Sequence, residues 1–130
     1  MVFVYHGSAV GPSLTPDWTM EVDRAFAQFG RAVATAGDVN GDGYADVIVG
    51  APMSSGSQAN EGRVWAYHGS SSGLPATFNW SVDSDQDDAQ LGYSVASAGD
   101  VNGDGYADVI IAAPYFDGGE KDEGRAWVHH

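Results

Sequence analysis

Apolar residues along this chain either alternate with polar ones or run in short blocks, and nothing repeats at the 3.6-residue spacing of a helix over a useful length. Val47-Ile48-Val49 is consecutive and apolar, the pattern of a strand buried on both faces. Pro52 ends that strand, because proline has no N–H to give to a ladder. In Arg63–His68 the side chains alternate, with Trp65 and Tyr67 on one face and Val64, Ala66 and His68 on the other. Gly69–Pro75 is a loop by composition. Asn79–Asp83 is a short strand with Trp80 and Val82 on one face, matching Trp18, Met20 and Val22 near the start of the chain. Phe29–Gly37 is a strand of small and β-branched residues that runs into an acidic loop. Four short strands in about 60 residues, without helices, predict an all-β chain built of propeller blades.

The chain repeats itself with a shift of 62 residues. Val2–Ser8 falls on Val64–Ser70, Trp18 on Trp80, Phe29-Gly30 on Leu91-Gly92, and Arg63–His68 on Arg125–His130. The most exact match is a nine-residue loop, Asp38–Asp46, which recurs unaltered as Asp100–Asp108. Its oxygen-bearing side chains stand at alternate positions, with glycine at the sixth, so a tightly curled chain can aim them at one centre. Hard oxygen donors in that number suit Ca²⁺, which takes roughly 6–8 oxygen ligands. One Ca²⁺ is therefore expected per loop, two per chain. The first would use Asp38, Asn40, Asp42, Asp46 and the Tyr44 carbonyl; the second Asp100, Asn102, Asp104, Asp108 and the Tyr106 carbonyl. Without a cation the loops would be solvated acidic turns whose carboxylates repel one another. An EF-hand is excluded, because its twelfth position needs glutamate and here holds Val49 or Ile111 inside a strand.

Charge and composition narrow the function. The formal net charge of −13 argues against nucleic acid and against an anionic membrane surface as partners, since both need a basic face. Two Ca²⁺ would leave the chain acidic. There is no cysteine, which removes disulfides, thiol catalysis and thiolate zinc sites. No apolar run is long enough to span a bilayer, and Met1–Gly7 lacks the basic and apolar regions of a signal peptide. No nucleophile–base pair or carboxylate dyad has recognisable spacing, so no catalytic residue is assigned and the chain is read as a non-enzyme. The acidic run Asp83–Asp88 reads as a solvated loop, and the four tryptophans as core between blades.

The repeat resembles the FG-GAP repeat of the integrin α-chain β-propeller and its bacterial relatives. The residues that carry the resemblance are Phe29-Gly30, Asp38–Asp46 and Gly50-Ala51-Pro52, and in the second unit Leu91-Gly92, Asp100–Asp108 and Ala112-Ala113-Pro114. Leu91 and Ala112 depart from the Phe and Gly of the pattern. The resemblance implies that each loop joins the first and second strands of a four-stranded antiparallel blade, that its metal is structural, and that partners bind on the opposite face. The expected organisation is residues 1–28 as strands three and four completing a neighbouring blade, 29–83 as a complete blade, and 84–130 as a partial blade. Two blades do not close a ring. The chain is thus expected to be a calcium-binding scaffold of adhesion type that self-assembles into a cyclic homo-oligomer, a trimer in preference to a tetramer. A protein or glycan ligand is expected on the face opposite the calcium loops, and an extracellular or cell-surface location for the parent protein. The alternatives are a lectin or hydrolase on a propeller scaffold, or an engineered repeat fragment with no ligand.

Overall fold

The structure, a computed structural model, describes residues 1–130. It contains nine strands and no helix, so no helix is long and apolar enough to cross a membrane. The strands are β1 (Val2–Val4), β2 (Trp18–Met20), β3 (Ala32–Gly37), β4 (Asp46–Ala51), β5 (Arg63–Tyr67), β6 (Trp80–Asp83), β7 (Ser94–Gly99), β8 (Asp108–Ala113) and β9 (Arg125–His129). They form three antiparallel sheets, ordered β1-β2, β3-β4-β5-β6 and β7-β8-β9. Neighbours in each sheet are neighbours in sequence. The central sheet has four strands, β3 to β6, and the other two have two and three.

β3 begins three residues later than the apolar pattern suggests. Gly30 turns the backbone with φ of +87°, and a side chain there would meet Val2 Cγ2 at 2.8 Å. The Phe29 ring instead meets Trp65 edge-on at 5.3 Å. At the other end of β3 the register with β4 slips by one residue between Thr35 and Gly37, and the same slip separates Ser97 from Gly99 on β7. A bulge of this kind bends the strand as it enters the acidic loop.

The central sheet has a neighbouring sheet on each face. Ile48 and Val64 face the β7-β8-β9 sheet and pack with Leu91, Val95, Val109 and Ile111. Val49, Ala51, Trp65 and Tyr67 face the other way, against Val2, Trp18 and Met20 of the β1-β2 sheet. The unbroken run Val47–Val49 thus divides its side chains between two cores, and each fully buried aliphatic residue contributes about 1.5–3 kcal/mol. All four tryptophans lie in or against these cores, as the strand pattern predicts.

Between the second and third sheets the backbones nearly touch. A Cβ on Gly50 would stand 2.1 Å from the Gly92 carbonyl oxygen, and Gly62 forms a parallel bridge with Leu91. The run Asp83–Asp88 is more than a solvated loop. Asp87 accepts the Ala59 N–H at 2.8 Å, Asp88 accepts from Asn60 Nδ2 at 2.8 Å, and Asp85 accepts from Ser57 Oγ at 3.0 Å. These acids clasp the loop before β5 and fasten one repeat unit to the next.

Candidate metal centre

Each acidic loop follows a bulged strand and precedes one hydrogen-bonded to a neighbour on each edge, so both of its ends are anchored. Inside the first loop the side chains cap the turn. Asp38 accepts the N–H of Asp42 at 3.0 Å and of Gly43 at 2.8 Å, and Asp42 accepts the N–H of Tyr44 at 2.9 Å. Asn40 accepts the Asp42 N–H at 3.2 Å and donates through Nδ2 to Asp42 at 2.9 Å. Asp100, Asn102 and Asp104 repeat this arrangement, with Asp104 N–H to Asp100 at 3.0 Å and Gly105 N–H to Asp100 at 2.8 Å. The Gly105 N–H above all, with those of Gly103 and Asp104, holds the Asp100 carboxyl below the usual carboxylate range.

The ninth residue behaves differently. Asp46 and Asp108 are fully buried. Asp46 accepts the Val39 N–H at 2.7 Å with one oxygen, and with the other the Gly69 N–H at 2.8 Å, from the β5–β6 connection. It therefore ties the acidic loop to the next hairpin as well as closing its own. Asp108 repeats the first bond, from Val101 at 2.7 Å. Its Oδ1 makes no hydrogen bond, although His130 Nδ1 lies 3.0 Å away. The Tyr44 and Tyr106 rings are both partly exposed.

The two loops touch. The Ala107 N–H donates to the Asp38 carbonyl at 2.9 Å, and a Cβ on Gly41 would meet the Tyr106 ring at 2.6 Å. All ten expected ligand residues thus stand at one end of the sheets, in two adjoining loops. In the conformation seen, the side-chain oxygens take the loop's own N–H groups, and no three carboxylate or imidazole groups meet at one centre. The donor set still fits a hard cation: every donor is oxygen, every loop carboxylate oxygen except Asp100 Oδ1 (which accepts from both Gly103 and Asp104) keeps a second lone pair, and Asp108 Oδ1 is buried without a hydrogen bond.

At the other end lie the connections 52–62, 84–93 and 114–124. Glu61 is fully buried there, holding Ser57 Oγ at 3.1 Å and the Gln58 N–H at 3.3 Å, and Arg63 bridges Asp83 at 2.6 Å. Glu61 carries no motif of its own in the sequence. Its counterpart Glu123, in the same Glu-Gly-Arg triplet before β9, was the available signal.

Known proteins share the sequence of these repeat units. A family profile described as the FG-GAP repeat matches residues 29–67 and 91–129. The chain is 44% identical over 87 residues to integrin alpha-4 of Xenopus laevis, covering 66% of this chain and 8% of that protein. It is 36% identical over 100 residues to integrin alpha-IIb of Mus musculus, covering 76% of this chain and 10% of that protein. It is 32% identical over 130 residues to phosphatidylinositol-glycan-specific phospholipase D of Mus musculus, covering 95% of this chain and 15% of that protein. The chain therefore spans a small part of the length of these relatives. With the repeat profile lying on the two bulged hairpins and the strands that follow them, this chain belongs to the FG-GAP repeat family, as an integrin-α-like β-propeller fragment.

Proposed function

We propose that the chain is a calcium-stabilised propeller module, a binding scaffold of adhesion type rather than a catalyst. The observation that carries this reading is the pair of identical loops at one end of the sheets, joined by the Ala107–Asp38 hydrogen bond and backed by buried Asp46 and Asp108. A Ca²⁺ in each loop would draw the oxygens of Asp38, Asn40, Asp42 and Asp46, or of Asp100, Asn102, Asp104 and Asp108, with the Tyr44 or Tyr106 carbonyl as a further donor. Bound there it would neutralise the clustered carboxylates and stiffen the hairpin. The chain's own residues would curl the loop, hold it to the neighbouring hairpin and keep it rigid.

Ligand recognition then belongs to the opposite end, where the connections differ most between the two units and present half-buried Gln58 and exposed Asp117 and Lys121. A protein or glycan partner is the expected ligand. Kinship with integrin alpha chains supports the adhesion reading and an extracellular or cell-surface parent. Self-assembly belongs to the same reading: three copies would supply six blades, and four would supply eight.

The test is thermal unfolding with calcium and with EDTA, alongside Asp42→Ala combined with Asp104→Ala. Chelation should lower the Tm of the wild type and leave the double variant unchanged. An identical Tm with and without calcium would overturn the metal assignment.

A further inference from the structure

The repeat shows the same residue in two settings. Val95 is 8% exposed, and its counterpart Val33 is 55% exposed. Ile48 is 0% exposed, and its counterpart Ile110 is 38% exposed. Ile48 and Val95 belong to one core, between the second and third sheets. Val33 lies on the face of the central sheet that the small β1-β2 sheet leaves partly bare. Ile110 and Val128 lie on the face of β7-β8-β9 turned away from the central sheet. The two bare surfaces are the two halves of a contact the chain already makes once.

The charges repeat the pattern. Arg63 on β5 stands opposite Asp83 on β6 and bridges it at 2.6 Å. Its counterpart Arg125 on β9 bridges no carboxylate, and its guanidinium lies over the Phe116 ring at 4.5 Å. The counterpart of Asp83 is Glu21, directly after β2, and the arginine position facing it is held by Met1. One chain carries both halves of a second bridge, at sites that do not meet within it.

Resting on the self-assembly reading above, we propose that β9 of one copy takes up β2 of a second copy of this chain, in the register of β5 and β6. Arg125 then pairs with Glu21 of the second copy, and β1 of that copy gives up its place on β2. β1 is the strand that yields, because three residue pairs hold it to β2, whereas five hold β9 to β8. It also has methionine where the bridge needs arginine. The joint makes a four-stranded sheet like the central one and lays Ile110 and Val128 over the Val33 surface.

The experiment is the solution mass of the 130-residue chain across a concentration series, for the wild type, Arg125→Glu, Glu21→Arg and the two combined. Both side chains are exposed, so circular dichroism of the dilute proteins should show one fold throughout. The wild type should be multimeric, each single exchange should shift association to concentrations about tenfold higher or more, and the combined exchange should restore it. Removal of Met1–Val4 should strengthen association, and weaker association would overturn the displacement of β1. A multimer indifferent to the single exchanges overturns this joint and leaves self-assembly standing. A wild type that stays monomeric overturns both, and assigns the bare faces to other repeats of a longer polypeptide.

Discussion

The central sheet and the β7-β8-β9 sheet carry the same acidic loop and nearly the same strands, yet only the central sheet has a neighbouring sheet on both sides. Its Asp46 is held by two backbone N–H groups, whereas Asp108 is held by one and has a histidine ring near its other oxygen. Its arginine has an acid partner, whereas Arg125 rests on an aromatic ring. Sequence identity therefore fixes the local turn, while the neighbouring unit decides how much each residue contributes.

The isoleucines provide the most forceful test of that difference. Ile48→Ala should cost about 2–5 kcal/mol, the range for emptying a closed core site, and Ile110→Ala less than about 1 kcal/mol in the dilute monomer. Urea denaturation measures both, and equal losses would mean that the two sheets are equally enclosed in solution. Calcium should act next most strongly and, unlike the cores, alike on the two units. At free calcium 100-fold above Kd, each loop should add about 2.7 kcal/mol. Asp42→Ala and Asp104→Ala should each remove one such increment, read by calorimetry with and without EDTA. A double variant that still responds would place the cation elsewhere.

The loop glycines sharpen the comparison at smaller scale. Gly41 and Gly103 have φ of +73° and +74°, so alanine at either should cost about 1–2 kcal/mol. Gly41→Ala should cost more, because the Tyr106 ring stands against it while Gly103 faces open space. Tyr106→Ala should erase that excess, and a double-mutant cycle in thermal unfolding measures it.

The smallest effects concern pH, at one pair of equivalent positions. Burial pushes the Tyr67 hydroxyl up to about 12, and burial first, then His130, lowers the His129 imidazole. Both shifts favour the neutral side chain in the fold. For Tyr67 the folded value lies above the unfolded one, so its contribution is full below about pH 10 and is lost as pH rises toward 12. For His129 the folded value lies below 6.5, so its contribution is present at neutral pH and lost as pH falls through that value. Tyr67→Phe should remove alkaline sensitivity and His129→Phe acid sensitivity, each measured as Tm against pH.

The strands, the repeat and the position of both loops were legible in the sequence, because each follows from local alternation, glycine placement or self-similarity. Trp65 and Val64 fall on opposite faces as their spacing requires. Less legible was whatever depends on residues far apart. Nothing near Asp46 announces that Gly69 will take one of its oxygens, and nothing in the acids of Asp83–Asp88 announces that the loop at Ser57–Asn60 presents N–H and O–H groups to them. The late start of β3 was hidden for a related reason. Phe29 reads as a strand residue, but Gly30 faces Val2 and forces the turn.

The near-contact of Gly50 with Gly92 has a geometric consequence. β3 approaches β7 through Ala32, Ala34, Ala36 and Gly37, which face Val95 and Ser97, whereas farther along the same sheets Trp80 and His129 meet as rings 5.2 Å apart. The gap between sheets is narrow where small residues line it and wide where aromatic ones do, so successive sheets meet as wedges. Side-chain size across a single interface thus sets the angle through which each repeat turns from the last, and with it the curvature of any array built from this unit.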